Sequence, residues 1–393
     1  MDVLASSAQT AQSHEKKPTA SQNAAPVPAL LPAGRRLTSV DALRGFDMFW
    51  IIGGREAFLA LVALFIYPLP GWLTGQFEHV EWEGFVAWDM IMPLFLFVTG
   101  VSMPFSFAKW SSSKGGKKQL YLRLLRRLLL LWVLGMAVQG NLLDYDLSRL
   151  HLFSNTLQAI AAGYLISTVF LLALPLVGQI AGTAALLLVF WGAIEFIPLP
   201  NAPAGTLEPW NNLALHIDTL VLGSFRDGTT YTWVFSSLGF GATVMLGAFA
   251  GHVLRSGLKN KRKALALAAM GVGCLAAGWL WSYWFPVIKH IWTGSMVFWA
   301  GGWSYLLLAG FFWLVDVKGY RRWAFPLTII GMNAIAVYVA THVFNFGLVS
   351  GALIGDLTPR LGRFGDFLLA FATLLVPWLI LLYMYRKKTF IRI

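Results

Sequence analysis

A histidine among carboxylates stands in the segment FEHVEWEGFVAWDM. His79 lies close to Glu78, Glu81 and Glu83, and Asp89 follows at the start of an apolar run. An imidazole titrates near pH 6.5, so it can take up a proton near neutrality, and a neighbouring carboxylate can orient it. An acid within an apolar helix costs about 2.5 to 3.5 kcal/mol to insert into a membrane, so Asp89 needs a polar partner. The segment predicts a general base beside an acid, although a loop histidine alone is more often an ordinary surface residue.

A second charged group opens the segment SVDALRGFDMF. Asp41, Arg44 and Asp47 follow one another at intervals of three residues, so one helix face can hold all three. Two interpretations stay open. The group is either an ion pair at a helix end or the lining for an anionic ligand that enters from the cytoplasm.

Basic residues cluster in the run KWSSSKGGKKQLYLRLLRR, which continues into an apolar segment through Arg123, Arg126 and Arg127. Such a cluster commonly sets membrane topology and attracts anionic lipid. Alternatively, its guanidinium groups could bind the phosphates of a soluble cofactor, because they pair with phosphate oxygens through two hydrogen bonds.

Polar side chains also interrupt later apolar segments. Asn155, Gln158, Asn333 and Tyr338 are the main examples. Hydrogen bonds between helices would explain each one singly, whereas together they suggest a polar cavity that binds substrate. Cys274 is the only cysteine, which excludes an intrachain disulfide and a cysteine-rich metal site. The sequence predicts no bound metal.

The elements that position these residues are predicted to be membrane helices. The mean hydropathy is +0.65 and only 12% of residues are charged, which is far from the composition of soluble domains. Apolar runs of about 20 residues indicate spanning helices. We expect an all-α bundle of ten spans, near residues 41–66, 85–107, 122–139, 156–173, 181–197, 233–253, 264–283, 296–315, 325–345 and 365–385.

Charge distribution gives the expected orientation. The net charge is +12, but most of the Lys and Arg residues fall in the N-terminal segment, in alternate loops and in the tail after residue 385. The positive-inside rule places both termini in the cytoplasm, and the pattern does not indicate nucleic-acid binding. Residues 1–36, rich in Ala, Ser, Gln and Pro, predict a disordered cytoplasmic tail, and residues 37–393 predict a single transmembrane domain.

The block EHVEWEGFVAWDMIMPLFLFVTG resembles the heparan-α-glucosaminide N-acetyltransferase family. The matching positions are His79, Trp82, Gly84, Asp89, Pro93, Phe95, Phe97 and Gly100. SVDALRGFDMF resembles the opening of that family, and NTLQAIAAGYLIS, IWTGSMVFWAGG and IIGMNAIAVYV resemble later blocks in the expected order. One difference is that Gly54, Arg55 and Glu56 occupy the stretch where better-known members carry an asparagine.

The resemblance implies a transmembrane enzyme that takes acetyl-CoA from the cytoplasm and acetylates a glucosamine-type amine on the other side. It implies His79 as the catalytic residue, as a base or a transient acetyl carrier, with Asp89 or a nearby glutamate assisting. We expect Glu78, Trp82, Asn155, Gln158 and Asn333 at the sugar. We expect the cofactor end at Asp41, Arg44, Asp47, Arg123, Arg126 and Arg127.

The similar branch is bacterial and is linked to the use of amino sugars or N-acetylglucosamine, so the resemblance implies the inner membrane, contact with lipid and, by analogy, a homodimer. Two alternatives stay open. One is acyl transfer to another glycan acceptor with the same histidine chemistry, and the other is an amino-sugar transporter.

Overall fold

The structure, a computed structural model, describes residues 37–111 and 116–391, without the side chains of residues 109–117. The predicted disordered tail lies outside these residues. The described chain is mostly helical, with helices α1 (Thr38–Phe49), α2 (Arg55–Ala63), α3 (Gly71–Thr74), α4 (Ile91–Ser111), α5 (Gly116–Gln139), α6 (Thr156–Ala173), α7 (Leu176–Phe196), α8 (Leu213–Leu222), α9 (Ser237–Arg255), α10 (Asn260–Trp281), α11 (Gly294–Phe311), α12 (Phe325–Met332), α13 (Ala334–Val343), α14 (Phe346–Ile354) and α15 (Arg363–Arg386).

The regular structure between α7 and α8 is a small antiparallel hairpin. Its strands are β1 (Leu207–Glu208) and β2 (Asn211–Asn212), with Leu207 opposite Asn212 and Glu208 opposite Asn211. Asn212 is the N-cap of α8: its side chain accepts a hydrogen bond from the backbone N–H of Leu215 at 2.9 Å.

Seven helices in the described residues are long and apolar enough to cross a membrane. They are Ala87–Ala108, Thr156–Ala173, Leu176–Phe196, Ser237–Arg255, Asn260–Trp281, Gly294–Val317 and Arg363–Arg386. Helices α12 and α13 are bent by 75° at Asn333, and if this pair counts as one span, the described residues hold up to eight spans. The protein is therefore consistent with a polytopic helical membrane protein, because such helices satisfy their own backbone hydrogen bonds in lipid.

The two other predicted spans are helical but less regular. In the segment 41–66, α1 and α2 are separated by a π-helical turn, Trp50–Gly54, in which Gly53 has φ of 123°. Segment 122–139 lies within α5, which carries Arg123, Arg126 and Arg127 in its central part. The total of ten spans and the cytoplasmic location of both ends stay predictions.

Burial divides the bundle into central and peripheral helices. Most of the span residues of α4 and α9 are buried, whereas fewer than a third are buried in α7, α10 and α15. α4 and α9 approach closely at Gly100 and Gly247, where a β-carbon on either glycine would collide with the backbone of the other helix. Asp89 lies just before α4, so the central helix pair fixes the position of the acid identified above.

Candidate active site

The structure brings His79 and Asp89 together. Nδ1 of His79 lies 2.7 Å from Oδ1 of Asp89. The imidazole is 46% exposed, whereas the carboxylate is 2% exposed. Oδ2 of Asp89 accepts a hydrogen bond from the backbone N–H of Val86 at 3.3 Å, so a local turn holds one oxygen and leaves the other for the histidine. A buried acid thus orients an accessible imidazole.

A third charged side chain completes the group. Nζ of Lys289 lies 3.2 Å from Oδ1 of Asp89 and 3.2 Å from Nδ1 of His79, and the lysine side chain is 7% exposed. Burial lowers the pKa of the Lys289 ammonium, and the charge of Asp89 partly opposes that shift. His79, Asp89 and Lys289 are called the His–Asp–Lys cluster below.

The positions of the hydrogen atoms in the cluster can be inferred from the group that accepts the hydrogen bonds. An ionised carboxylate only accepts hydrogen bonds, so the short contact to Asp89 requires that Nδ1 of His79 carries the hydrogen and donates it. Lys289 then donates to the same oxygen, and its contact with Nδ1 joins two donors. In a neutral imidazole with its hydrogen on Nδ1, Nε2 has the lone pair and is the atom that can accept a proton or attack a carbonyl.

The segment that carries Lys289, residues 285–293, is held by side-chain hydroxyls. Thr293 Oγ1 and Ser295 Oγ donate to the carbonyl of Pro286 at 2.8 and 2.9 Å. Thr293 Oγ1 also accepts from the backbone N–H of Ile288 at 3.0 Å. The segment can then turn back into α11 through Trp292, whose φ is 58°. Lys289 therefore projects from a braced loop.

The histidine segment is joined directly to this loop. The backbone N–H of Gly84 donates to the carbonyl of Val287 at 2.9 Å, and Glu83 pairs with Ile288 in an isolated antiparallel bridge. Gly84 has φ of 126°, a conformation that favours glycine because it has no β-carbon. These backbone contacts bring residues 79–89 and 285–293 together across the chain.

Aromatic groups flank the cluster on one side. Trp82, a predicted sugar residue, donates its indole N–H to the carbonyl of Leu207 at 2.7 Å and meets the ring of His290 edge-on at 5.3 Å. Tyr231 stacks on His290 at 4.0 Å. Burial, then the charge of Lys289, lowers the pKa of His290 to about 4. His290 is therefore a neutral part of the wall at neutral pH.

A cavity of about 460 Å³ is lined mainly by apolar and aromatic groups, and it reaches the chain neighbours of Asp89 rather than the cluster itself. Val86 and Trp88 border it, and the Trp88 ring lies 6.3 Å from the ring of His79. Asp47 also lines it, 2% exposed, and its Oδ2 has no hydrogen-bond partner among the residues that the structure describes. An apolar cavity next to an acid–base group is the usual form of a small-molecule site.

The other residues predicted at the sugar are arranged differently. Glu78 is exposed next to His79. The Asn155 side chain caps α6 and donates to Gln139 Oε1 at 2.6 Å and to the Tyr338 hydroxyl at 3.3 Å. Gln158 donates to the carbonyl of Leu152 at 2.6 Å. These amides bond within the protein, so their contact with substrate stays a prediction.

Asn333, the last residue predicted at the sugar, occupies the bend between α12 and α13. Its Oδ1 accepts a hydrogen bond from the backbone N–H of Ile391 at 2.9 Å. The side chain thus joins the bend to the segment after α15, and a role in substrate binding stays a prediction.

The residues predicted at the cofactor make different contacts, and their role there stays a prediction. Arg44 pairs with Asp41 at 3.2 Å and donates to Ser102 Oγ at 3.0 Å. Asp47 instead lines the aromatic cavity. Arg127 is partly buried with its guanidinium 4.4 Å from the centre of the Tyr164 ring.

The remaining two predicted cofactor residues, Arg123 and Arg126, are exposed on α5. In residues 37–111 and 116–391, no group of three His, Cys, Asp or Glu side chains could hold a metal ion.

Lys289 was missing from the site that the sequence predicted. Its only sequence signal was a cationic residue in the polar segment FPVIKHIWTGS just before an apolar run.

The fold and the cluster together define a class: a polytopic helical membrane protein with an accessible histidine held by a buried acid. The chain is 23% identical to human heparan-α-glucosaminide N-acetyltransferase over 91% of its own length, and 23% identical to the mouse protein over 92%. It spans 60% and 61% of the lengths of these two relatives. No protein-family model matches the chain. The similarity is distant, and it covers most of the chain.

Proposed function

We propose that the protein is a transmembrane acetyltransferase that moves the acetyl group of cytoplasmic acetyl-CoA to the amino group of a glucosamine-type sugar on the external side. The single observation that carries this proposal is the half-exposed His79 whose Nδ1 is held by buried Asp89. The distant similarity to two N-acetyltransferases supports the same reaction class.

The chemistry requires a proton acceptor at the reacting amine. The amine nitrogen attacks the thioester carbonyl, the C–S bond breaks, and the amine loses a proton. Nε2 of His79 can take that proton and pass it to the leaving thiolate, which yields the amide and the free thiol. Alternatively, Nε2 attacks first and carries the acetyl group until the amine accepts it. Asp89 serves both routes, because it keeps Nδ1 protonated and Nε2 free.

The aromatic cavity is the proposed place for the thioester arm. Its walls are mainly apolar, as the arm mostly is. Oδ2 of Asp47, which has no partner among the described residues, can accept a hydrogen bond from an amide N–H of that arm. Because the cavity borders Trp88, an acetyl group at its end would lie near His79. Arg44 and Arg127 are the proposed partners of the phosphates, together with exposed Arg123 and Arg126.

On the acceptor side, Trp82 and Glu78 flank His79 and are the proposed first contacts of the sugar. Aromatic faces and carboxylates suit a sugar that carries an ammonium group. We further propose a bacterial inner membrane as the location, with the histidine side outside. We also propose that the protein assembles as a homodimer, and this proposal rests on the family resemblance.

The test uses purified protein, acetyl-CoA and glucosamine, with N-acetylglucosamine measured by mass spectrometry. His79→Ala should lose at least about 100-fold in rate, because general acid–base catalysis contributes about 10²- to 10⁴-fold. The matched control is His216→Ala on α8, which should keep the wild-type rate. Full activity in His79→Ala would refute the site.

The same assay separates the alternatives. If no amine is acetylated but acetyl-CoA binds, other glycan acceptors become the candidates. If labelled glucosamine instead accumulates in proteoliposomes without acetyl-CoA, the protein is a transporter.

A further inference from the structure

We propose that Lys289 is a positioning residue: its ammonium balances the charge of Asp89, so that Asp89 can orient His79 without keeping its imidazole protonated. The catalytic consequence rests on the proposed function, whereas the effect on His79 protonation does not. The three side chains lie within 3.2 Å of one another at their polar atoms.

The position of Lys289 excludes direct contact with the reacting atoms. Its Nζ lies on the Nδ1 side of the imidazole, where it shares Oδ1 of Asp89 with the histidine. The reacting atom, Nε2, is at the other side of the ring. Lys289 can therefore act only through Asp89 and His79.

Burial of an ammonium group lowers stability unless an interaction compensates for the lost hydration. Lys289 is 7% exposed and Asp89 is 2% exposed, and removing two charges from water costs several kcal/mol per ion before their attraction is counted. Thr293 and Ser295 brace the loop that presents this lysine. An exposed imidazole needs only a carboxylate for orientation, so the added cation serves a different purpose.

That purpose follows from the charges. A carboxylate beside an imidazole favours the protonated ring, which cannot act as a base. A cation 3.2 Å from the same Nδ1 opposes this effect, and the Asp89–Lys289 pair is neutral overall. Glu78 and Glu81, which lie close to His79 in the chain, are both exposed and screened by solvent.

Arg55 and Glu83 also lie near the cluster. The guanidinium of Arg55 stands 5.0 Å from the centre of the Trp88 ring, and Glu83 is exposed next to Gly84. His290, adjacent to Lys289 in the chain, is neutral because burial lowers its pKa to about 4. Lys289 is therefore the buried cation that faces the histidine among these groups.

The test reads the protonation of His79 without any acetyl transfer. Diethyl pyrocarbonate acylates the neutral imidazole, and peptide mass spectrometry measures the modification of His79 as a function of pH. In Lys289→Met the midpoint should rise by about one pH unit, the lower end of the range for a nearby charge, since the ring is half exposed. Lys289→Arg should stay within a few tenths of a unit, and exposed Lys261→Met is the matched control.

A second pair of variants removes the concern that Lys289→Met leaves Asp89 unpaired and fails to fold. The comparison is between Asp89→Asn and the double variant Asp89→Asn/Lys289→Met, which contains neither charge. The midpoint should be lower by about one unit in Asp89→Asn, because only the cation remains there. Equal midpoints in these two variants, or in wild type and a folded Lys289→Met, would overturn the proposal.

Acetyl transfer gives the catalytic readout. In Lys289→Met, the acid limb of the rate profile should move to higher pH by the same amount, with the rate at high pH largely retained. If the midpoint of modification moves as expected but no acetyl transfer occurs in wild type, the charge balance stands and the proposed function fails. If transfer occurs but Lys289→Met changes neither its pH profile nor the midpoint of modification, the charge balance is refuted and the proposed function stands.

Discussion

Replacing Asp89 by asparagine tests the acid that supports the histidine. Asp89 accepts hydrogen bonds from Val86, His79 and Lys289, two of them from groups that carry or develop positive charge. Asparagine can donate through its amide and so favours the wrong imidazole tautomer, with the hydrogen on Nε2. The same change in a serine protease triad lowers kcat about 10⁴-fold. Because His79 is 46% exposed, we expect about a 10²- to 10³-fold loss in kcat.

Stability must be measured beside the rate, because Asp89→Asn leaves the Lys289 ammonium buried without its counterion. Breaking a buried ion pair costs about 3 to 5 kcal/mol, so the midpoint of thermal unfolding in detergent should fall. Asp89→Asn/Lys289→Met removes both charges and should recover most of this stability while remaining inactive. Exposed Asp356→Asn is the matched control.

The assay is the rate of N-acetylglucosamine formation at saturating acetyl-CoA, with the unfolding midpoint recorded for every variant. The expected result is a large loss of kcat with little change in the KM for acetyl-CoA. A folded double variant with a wild-type rate would refute the reasoning, because it would show that His79 needs no carboxylate.

Two further predictions concern the fold around the site. Gly100→Ala should lower the free energy of unfolding by about 1 to 3 kcal/mol, because its β-carbon would meet the backbone of α9; Gly273→Ala, which has open space, is the matched control, and equal unfolding midpoints would contradict the packing. His290, with a pKa of about 4 in the folded protein against 6.5 for free histidine, binds fewer protons folded than unfolded. Stability should therefore be complete above pH 6.5 and fall as the pH drops towards 4; thermal melts should show less acid sensitivity in His290→Gln, and an unchanged slope would contradict burial as the cause.

Much of the helical layout follows from local composition. An apolar run must satisfy its backbone hydrogen bonds within itself in lipid, so a helix is predicted from neighbouring residues alone. Segment 156–173, for example, coincides with α6. The sequence also allowed the prediction that His79 and Asp89 lie close together, because Asp89 follows His79 by only ten residues.

Tertiary structure alone decided the rest of the site. Lys289 is 200 residues from Asp89, and its approach depends on the way α10 and α11 pack against the central helices. Asp47 was grouped with Asp41 and Arg44 by spacing, but the folded α1 turns it towards the aromatic cavity. Periodicity is set by neighbours along the chain, whereas charge pairs across the bundle depend on which helix faces meet. The sequence by itself therefore determined the membrane helices and the histidine–acid pair, and only the packing of those helices supplied the cation and the cavity.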